Sequence, residues 1–326
     1  MIRILVSMGD PSGVGSEIIL KSIPKIKKRS IPVIVGDLEV LKETGRILGM
    51  DISNLFLPYM EGKKGDVELI DLGLLKDVRY GLVNKDYGYA AYQYVFEGLK
   101  RVLNGEVYGI VTCPINKKSF ELANIQFTGH TEMLGRLAGV NDYVMMLQNR
   151  KMRVSLVTTH VPFKEVPNLL SVERVFKTIY ITHRSLVELF NIDSPNLKVC
   201  GLNPHAGEEG LIGDEEHIIV EAIERAKNLN IIVSGPYPAD SVFSKIDCDA
   251  YVSMYHDQGL IPLKTIDFKR TVNVTLGLPF VRTSPGHGTA FDIAGRGIAD
   301  PTSFIEAYLL AEKLTKNLLT KSHDKD

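Results

Sequence analysis

Residues 2–8, IRILVSM, are almost wholly apolar; they run into the turn-forming string GDPSGVG at 9–15, and a helical pattern begins near Glu17. Such a run has no face to give to water, so it reads as a strand buried on both sides, as in a parallel sheet covered by helices. The same pattern recurs down the chain. Strands are expected over 31–35, 67–70, 109–112, 152–158, 197–202, 250–255 and 271–276, and helices over 38–48, 87–103, 172–189, 214–228 and 302–319. Strands interleaved with helices predict an α/β fold.

At 326 residues the chain is long for one hydrophobic core, so two lobes are expected. No repeat, low-complexity segment or flexible linker separates them, so the chain should cross between lobes more than once. Residues 321–326 read as a polar tail. A formal net charge of -1 gives no electrostatic ground for a nucleic-acid or membrane partner. The one basic run, KIKKR at 25–29, reads as a solvated helix end. Cys113, Cys200 and Cys248 are few and far apart, which argues against a disulfide framework and against a thiolate zinc site. The apolar run in MIRILVSMGD is too short for a signal peptide, and no stretch approaches the roughly 20 apolar residues of a membrane span. A cytoplasmic location is the simplest expectation.

Chemistry gathers at the ends of the expected strands, where open α/β sheets bind ligands. Residues 250–301 are the richest stretch, carrying His256, Asp257, Lys264, Asn273, Arg282, His287 and Asp292. Three strands each deliver a histidine just past the C-terminal end: His160 after 152–158, His205 after 197–202 and His256 after 250–255. One residue type at three equivalent places suggests three imidazoles on a divalent metal that keeps an open coordination position. His183, His217 and His323 have no such placement. The turn at 235–240 exposes Asp240, which can orient a ligand, accept a proton or simply cap the turn. Lys117, after CPIN, is either a substrate contact or a solvated helix start. The glycines at 9–15 match neither a P-loop nor GxGxxG, because Ile18 stands where a third glycine is needed, and they read as turn glycines. Tyr87, Ala91, Tyr94, Val95, Leu99 and Val102 fall at helical spacing and read as core.

GDPSGVGSE at 9–17, GHTE at 129–132, GLNPHAG at 201–207, YHDQG at 255–259 and VNVTLGLPFVR at 272–282, together with Pro238 and Asp240, resemble the 4-hydroxythreonine-4-phosphate dehydrogenase family of pyridoxal phosphate biosynthesis. The resemblance runs in order along nearly the whole chain. Locally, HGTAFDIAGRGIADP at 287–301 is similar to the cofactor loop of isopropylmalate and isocitrate dehydrogenases, which bind NAD(P) without GxGxxG.

The resemblance implies a two-lobed isocitrate/isopropylmalate dehydrogenase-like fold with its active-site cleft between the lobes. One lobe is expected at 1–115 plus 266–326 and the other at 116–265. It further implies a homodimer in which His160, His205 and His256 hold zinc, magnesium or cobalt, two from one subunit and the third from its partner. His130, Thr131, Lys264, Asn273 and Arg282 would bind substrate, Asp240 and Lys264 would serve catalysis, and His287, Gly288, Thr289 and Asp292 would bind NAD or NADP. Lys264 and Arg282 suit a phosphate or carboxylate, one as a point charge and one as a bidentate fork. Gly286 stands where the family commonly has an aspartate before the histidine, which bears on the cofactor contact. The implied reaction is oxidation and decarboxylation of 4-phosphohydroxy-L-threonine to 3-amino-2-oxopropyl phosphate. Two alternatives are a dehydrogenase of 4-phospho-threonate or 4-phospho-erythronate and, more distantly, a phosphate acyltransferase.

Overall fold

The computed structural model describes residues 2–323, so the expected tail at 321–326 lies partly outside the described residues. The chain forms two compact units, Met1–Gly139 with Leu278–Lys316 and Val140–Gly277 with Asn317–Asp326. The changeovers fall at 139/140 and 277/278, whereas 115/116 and 265/266 were expected. Residues 116–139 pack with the first unit and 266–277 with the second.

Unit 1 begins β1 (Arg3–Ser7), α1 (Gly15–Ile26), β2 (Ile31–Gly36), α2 (Leu38–Leu48), β3 (Phe56–Pro58), β4 (Val67–Asp71), α3 (Lys85–Leu103), β5 (Gly109–Thr112), α4 (Lys117–Leu122) and α5 (His130–Leu137). Unit 2 continues with β6 (Val144–Gln148), β7 (Arg153–Leu156), α6 (Val166–Leu169), α7 (Val172–Glu188), β8 (Leu197–Cys200), α8 (Glu216–Lys227), β9 (Val233–Tyr237), α9 (Ala239–Val242), β10 (Ala250–Ser253), α10 (His256–Asp267) and β11 (Val272–Leu276). The chain then returns to unit 1 through β12 (Val281–Pro285) and ends in α11 (Thr302–His323).

In unit 1 the strands lie in the order β3-β4-β2-β1-β5-β12 and all run parallel. Ile4, Leu5 and Val6 are fully buried, as the unbroken apolar run predicts. All six positions of the expected α3 stripe are buried, and the Tyr94 hydroxyl donates to Asp37 Oδ2 at 2.8 Å. Asn84 caps α3 by accepting the Asp86 N–H, and α2 stops at Gly49, whose φ of 64° few other residues adopt cheaply. At the edge of the core, Arg3 forks onto Glu68 with two 2.9 Å bonds, and the Glu68 side chain is wholly buried.

In unit 2 the order is β11-β6-β7-β10-β8-β9. β6 is antiparallel to both β11 and β7, while β10 is parallel to β7 and β8, and β8 is parallel to β9. Sequence periodicity misses β3 in unit 1 and β6, β9 and β12. VMMLQ in β6 carries no turn signal or β-branched run to separate strand from helix. VRTSP in β12 is polar in composition although every residue is buried. The segment expected as a turn at 235–240 is instead the end of β9, with a cis Gly235–Pro236 bond, followed by the short α9. Among the described residues no helix is long and apolar enough to cross a membrane.

Candidate active site

The three strands that carry the histidines are neighbours. β10 lies between β7 and β8, all three parallel, so His160, His256 and His205 leave the same edge of one sheet. His160 and His256 have ring centroids 5.6 Å apart and help line a pocket of about 280 Å³ with Thr159, Phe163, Tyr255 and Asp257. Two imidazoles on one tetrahedral ion, with metal–nitrogen bonds of about 2 Å, have centroids roughly 5 Å apart, so this pair fits one cation. His256 Nδ1 lies 2.6 Å from Asp257 Oδ1. A carboxylate on one ring nitrogen fixes the tautomer that leaves the other as a ligand. His205 stands apart, about two-thirds exposed, on a segment of reversed backbone hand. Among the described residues of one chain, no group of three His, Cys, Asp or Glu side chains is close enough to hold a metal ion.

A buried hydrogen-bond chain links the three histidine-bearing segments. The Thr158 hydroxyl and N–H both donate to Met254 O, the Met254 N–H donates to Gln258 Oε1 at 2.7 Å, and Gln258 Nε2 donates to Gly201 O at 2.7 Å. Glu216 then takes the N–H groups of Leu202 and Asn203. Each polar atom in this chain replaces a water it lost on burial. Gln258 and Glu216 are the residues that sequence reasoning passed over. Their roles lie in where their hydrogen bonds go; only Gly207, where a Cβ would meet Glu216 at 2.6 Å, marks one of them in the sequence.

Unit 1 holds a second constellation. Arg282 on β12 is 2 % exposed and donates to Thr112 Oγ1 through Nε (3.2 Å) and NH2 (2.8 Å), with Thr131 Oγ1 at 3.5 Å from NH1. Burial lowers its pKa to about 10, which leaves it charged at neutral pH. His130, 9 % exposed, opens α5 beside it, and its buried Nε2 has no hydrogen-bond partner. Burial, aided by the charge of Arg282, holds His130 well below its usual range, so the ring is neutral. A buried cation beside two hydroxyls and a neutral imidazole has the chemistry to receive an anion.

Asp10, fully buried in the turn between β1 and α1, accepts the Ser12 N–H at 2.9 Å, while its Oδ2 has no partner. Burial raises its carboxyl to about 6, against the opposing pull of the Ser12 N–H and the Ser119 hydroxyl. A folded-state pKa above the unfolded value of about 3.9 penalises the folded protein fully above pH ~6 and relieves it as pH falls toward 4. Asp10→Asn should therefore raise the melting temperature at pH 7.5, for a gain of at most about 3 kcal/mol. The difference from wild type should shrink by pH 5. Melts at both pH values check this, and a difference that ignores pH would refute it.

Residues 286–299 are seated on the glycine turn. The Val14 N–H donates to Thr289 O at 3.1 Å, and a Cβ on Gly13 would lie 3.0 Å from that same oxygen. Glu17 accepts the Ala299 N–H at 2.7 Å, and Lys21 donates to Gly297 O, Ala299 O and Glu17. Gly9, with φ of 75°, is a turn glycine as expected, whereas Gly13 and Gly15 are needed for close packing, since a Cβ on Gly15 would strike Met8 O. On this loop Gly288 and Asp292 are exposed, while Thr289 is half-buried. His287 is half-buried and places Nδ1 2.9 Å from Gly288 O. An open glycine backbone beside an exposed carboxylate suits the hydroxyls of a nucleotide ribose. Gly286 donates its N–H to Ser303 Oγ at 2.9 Å.

The remaining expected residues lie in unit 2 or serve structure. Lys264 on α10 holds its ammonium 5.6 Å from the Phe268 ring centroid. Asn273 on β11 has a buried Oδ1 without a partner. Asp240 is exposed on α9. Lys117 is the exposed first residue of α4, capped by Asn116, in agreement with the helix-start reading.

Residues 28–311 match the family described as pyridoxal phosphate biosynthetic protein PdxA. The chain is 40% identical over 315 residues to 4-hydroxythreonine-4-phosphate dehydrogenase of Sulfurihydrogenibium sp. (strain YO3AOP1), covering 95% of this chain and 98% of the relative. It is also 40% identical over 314 residues to a protein of Oceanobacillus iheyensis provisionally named D-threonate 4-phosphate dehydrogenase, covering 93% and 94%. The crystal structure of 4-hydroxythreonine-4-phosphate dehydrogenase from Klebsiella pneumoniae superposes with a TM-score of 0.85 at 36% identity, covering 97% and 98%. With the matched family spanning most of its length, and relatives this similar end to end, the chain belongs to the PdxA family of pyridoxal phosphate biosynthetic proteins.

Proposed function

We propose that this enzyme oxidises and decarboxylates 4-phosphohydroxy-L-threonine with NAD or NADP, yielding 3-amino-2-oxopropyl phosphate for pyridoxal 5'-phosphate synthesis. The 40% identity, over nearly the full length of both chains, to a 4-hydroxythreonine-4-phosphate dehydrogenase carries the reading. The buried guanidinium of Arg282 suits the phosphate of such a substrate.

When bound, a nicotinamide would accept the hydride, and a divalent ion would lower the pKa of the substrate hydroxyl and polarise the developing enolate oxygen. The chain's own side chains bind and orient. Arg282 and Thr131 take the anionic end of the substrate, and neutral His130 offers a ring nitrogen to it. Lys264 and Asn273 are further substrate contacts, and Asp240 and Lys264 are the candidates to handle protons. His287, Gly288, Thr289 and Asp292 receive the dinucleotide. His160, His205 and His256 hold the ion in a homodimer, two from one subunit and one from its partner. The separation of His205 from the other two in a single chain favours that arrangement. Three free thiols favour a reducing, cytoplasmic setting.

The test is NADH formation with purified protein, a divalent metal and 4-phosphohydroxy-L-threonine, with and without chelator, alongside carbon dioxide release. Chelator-sensitive turnover supports the reading. The second reading, oxidation of D-threonate 4-phosphate, is favoured by an equally similar relative. It differs by a hydroxyl in place of the amino group, and turnover of that substrate alone would displace the first reading. Site sharing has its own check. Inactive His205→Ala and inactive His256→Ala proteins, mixed under conditions of subunit exchange, should regain partial activity. No recovery after proven exchange would count against a site shared between subunits.

A further inference from the structure

We infer that Glu216 is the positioning residue for His205. This rests on the reading above, in which His205 ligates an ion. His205, Ala206, Gly207, Glu208 and Glu209 have φ of 53°, 54°, 77°, 45° and 57°, a full turn of left-handed helix. L-residues visit that region singly and at a cost, and only one of these five is glycine. Such a turn persists only where its surroundings over-determine it.

Glu216 supplies that determination from both sides. It is 8 % exposed and lies in the first turn of α8, where the helix dipole favours a carboxylate. Oε1 accepts the N–H groups of Leu202 (3.0 Å) and Asn203 (2.8 Å), and Oε2 accepts Asn203 Nδ2 (3.0 Å). This fixes the point where the chain leaves β8. The same carboxylate also fills the hollow of the turn, since a Cβ on Gly207 would lie 2.6 Å from Oε2 and one on Gly201 3.4 Å from Oε1. Asn203 O in turn accepts the Ala206 N–H, and Gly207 O accepts the Ile212 N–H. One side chain therefore holds the entry and the middle of the segment that presents His205. Without it, residues 205–209 relax toward right-handed backbone, and the imidazole leaves its place.

The experiment titrates the metal-free full-length protein with Co²⁺ alone, read by calorimetry and by cobalt absorption. Glu216→Ala should weaken Co²⁺ binding 10- to 100-fold, the usual loss when support behind a metal-ligating histidine is removed. Glu216→Gln keeps an oxygen for the two backbone N–H groups and should stay within about threefold of wild type. Gly207→Ala displaces the carboxylate from the opposite side and should match Glu216→Ala; it carries the test if Glu216→Ala does not fold. In a His205→Ala background, Glu216→Ala should add no further loss. Wild-type binding by both Glu216→Ala and Gly207→Ala, with His205→Ala weakened, would overturn the role of Glu216 and leave the metal reading standing. An undiminished Glu216→Ala effect in the His205→Ala background would also overturn it. Wild-type binding by His205→Ala would instead remove the metal reading on which the role depends.

Discussion

Arg282→Met should lower kcat/KM for the phosphorylated substrate about 10³-fold, or ~4 kcal/mol of transition-state binding. The size follows from burial. A guanidinium at 2 % exposure has lost its water, so an anion arriving there meets a charge that solvent does not screen. Methionine fills a similar volume without the charge, and replacing a buried charge by an apolar side chain often leaves stability unchanged or raised. The melting temperature should therefore hold while activity falls. Arg282→Lys separates charge from geometry, because one ammonium cannot reproduce the fork that meets Thr112 through both Nε and NH2. It should recover about tenfold of the loss. Steady-state kinetics with thermal melts check all three statements, and an Arg282→Met enzyme with wild-type kcat/KM would remove Arg282 from the site.

Arg3→Met should destabilise the protein by about 3–5 kcal/mol, because it leaves the Glu68 carboxylate buried without its cation. Glu68 would keep only the Gly62 N–H, at 2.8 Å. For a cooperative unit of this size the melting temperature should fall by roughly 10 °C. The double variant Arg3→Met, Glu68→Met removes both charges and should return close to wild type, since the single change is costly only through the orphaned partner. Melting curves of the two variants decide it. A double variant as unstable as the single one would place the cost in packing rather than charge.

The sequence already contained much of this architecture, and the reasons are physical. β1, β2, β5, β8 and β10 are apolar because both faces of a parallel sheet are covered, so composition alone marks them. α3 showed its stripe because its opposite face meets water. The histidines could be aligned with one another because each follows such a strand. Other features left weaker traces. β12 is buried but built from Arg282, Thr283 and Ser284, which periodicity scores as polar. Gln258 and Glu216 matter for where their hydrogen bonds go, and pattern does not record that. The reversal at 205–209 contains one glycine where a left-handed turn would favour several, so nothing in GLNPHAGEE announces it. The unit boundaries also shifted, because packing rather than composition decides which side 116–139 and 266–277 join.

A pleated sheet sets its strands at a fixed pitch, about 4.8 Å from one to the next. His160 and His256 follow neighbouring strands, β7 and β10, and the 5.6 Å between their ring centroids is close to that interval. His205 follows the next strand along, so its starting point lies about two pitches, or roughly 10 Å, from that of His160. That is wider than the span of two imidazoles on one ion. The spacing of the backbone thus brings two imidazoles close together, while among the described residues of one chain no third His, Cys, Asp or Glu side chain joins them closely enough to hold a metal ion.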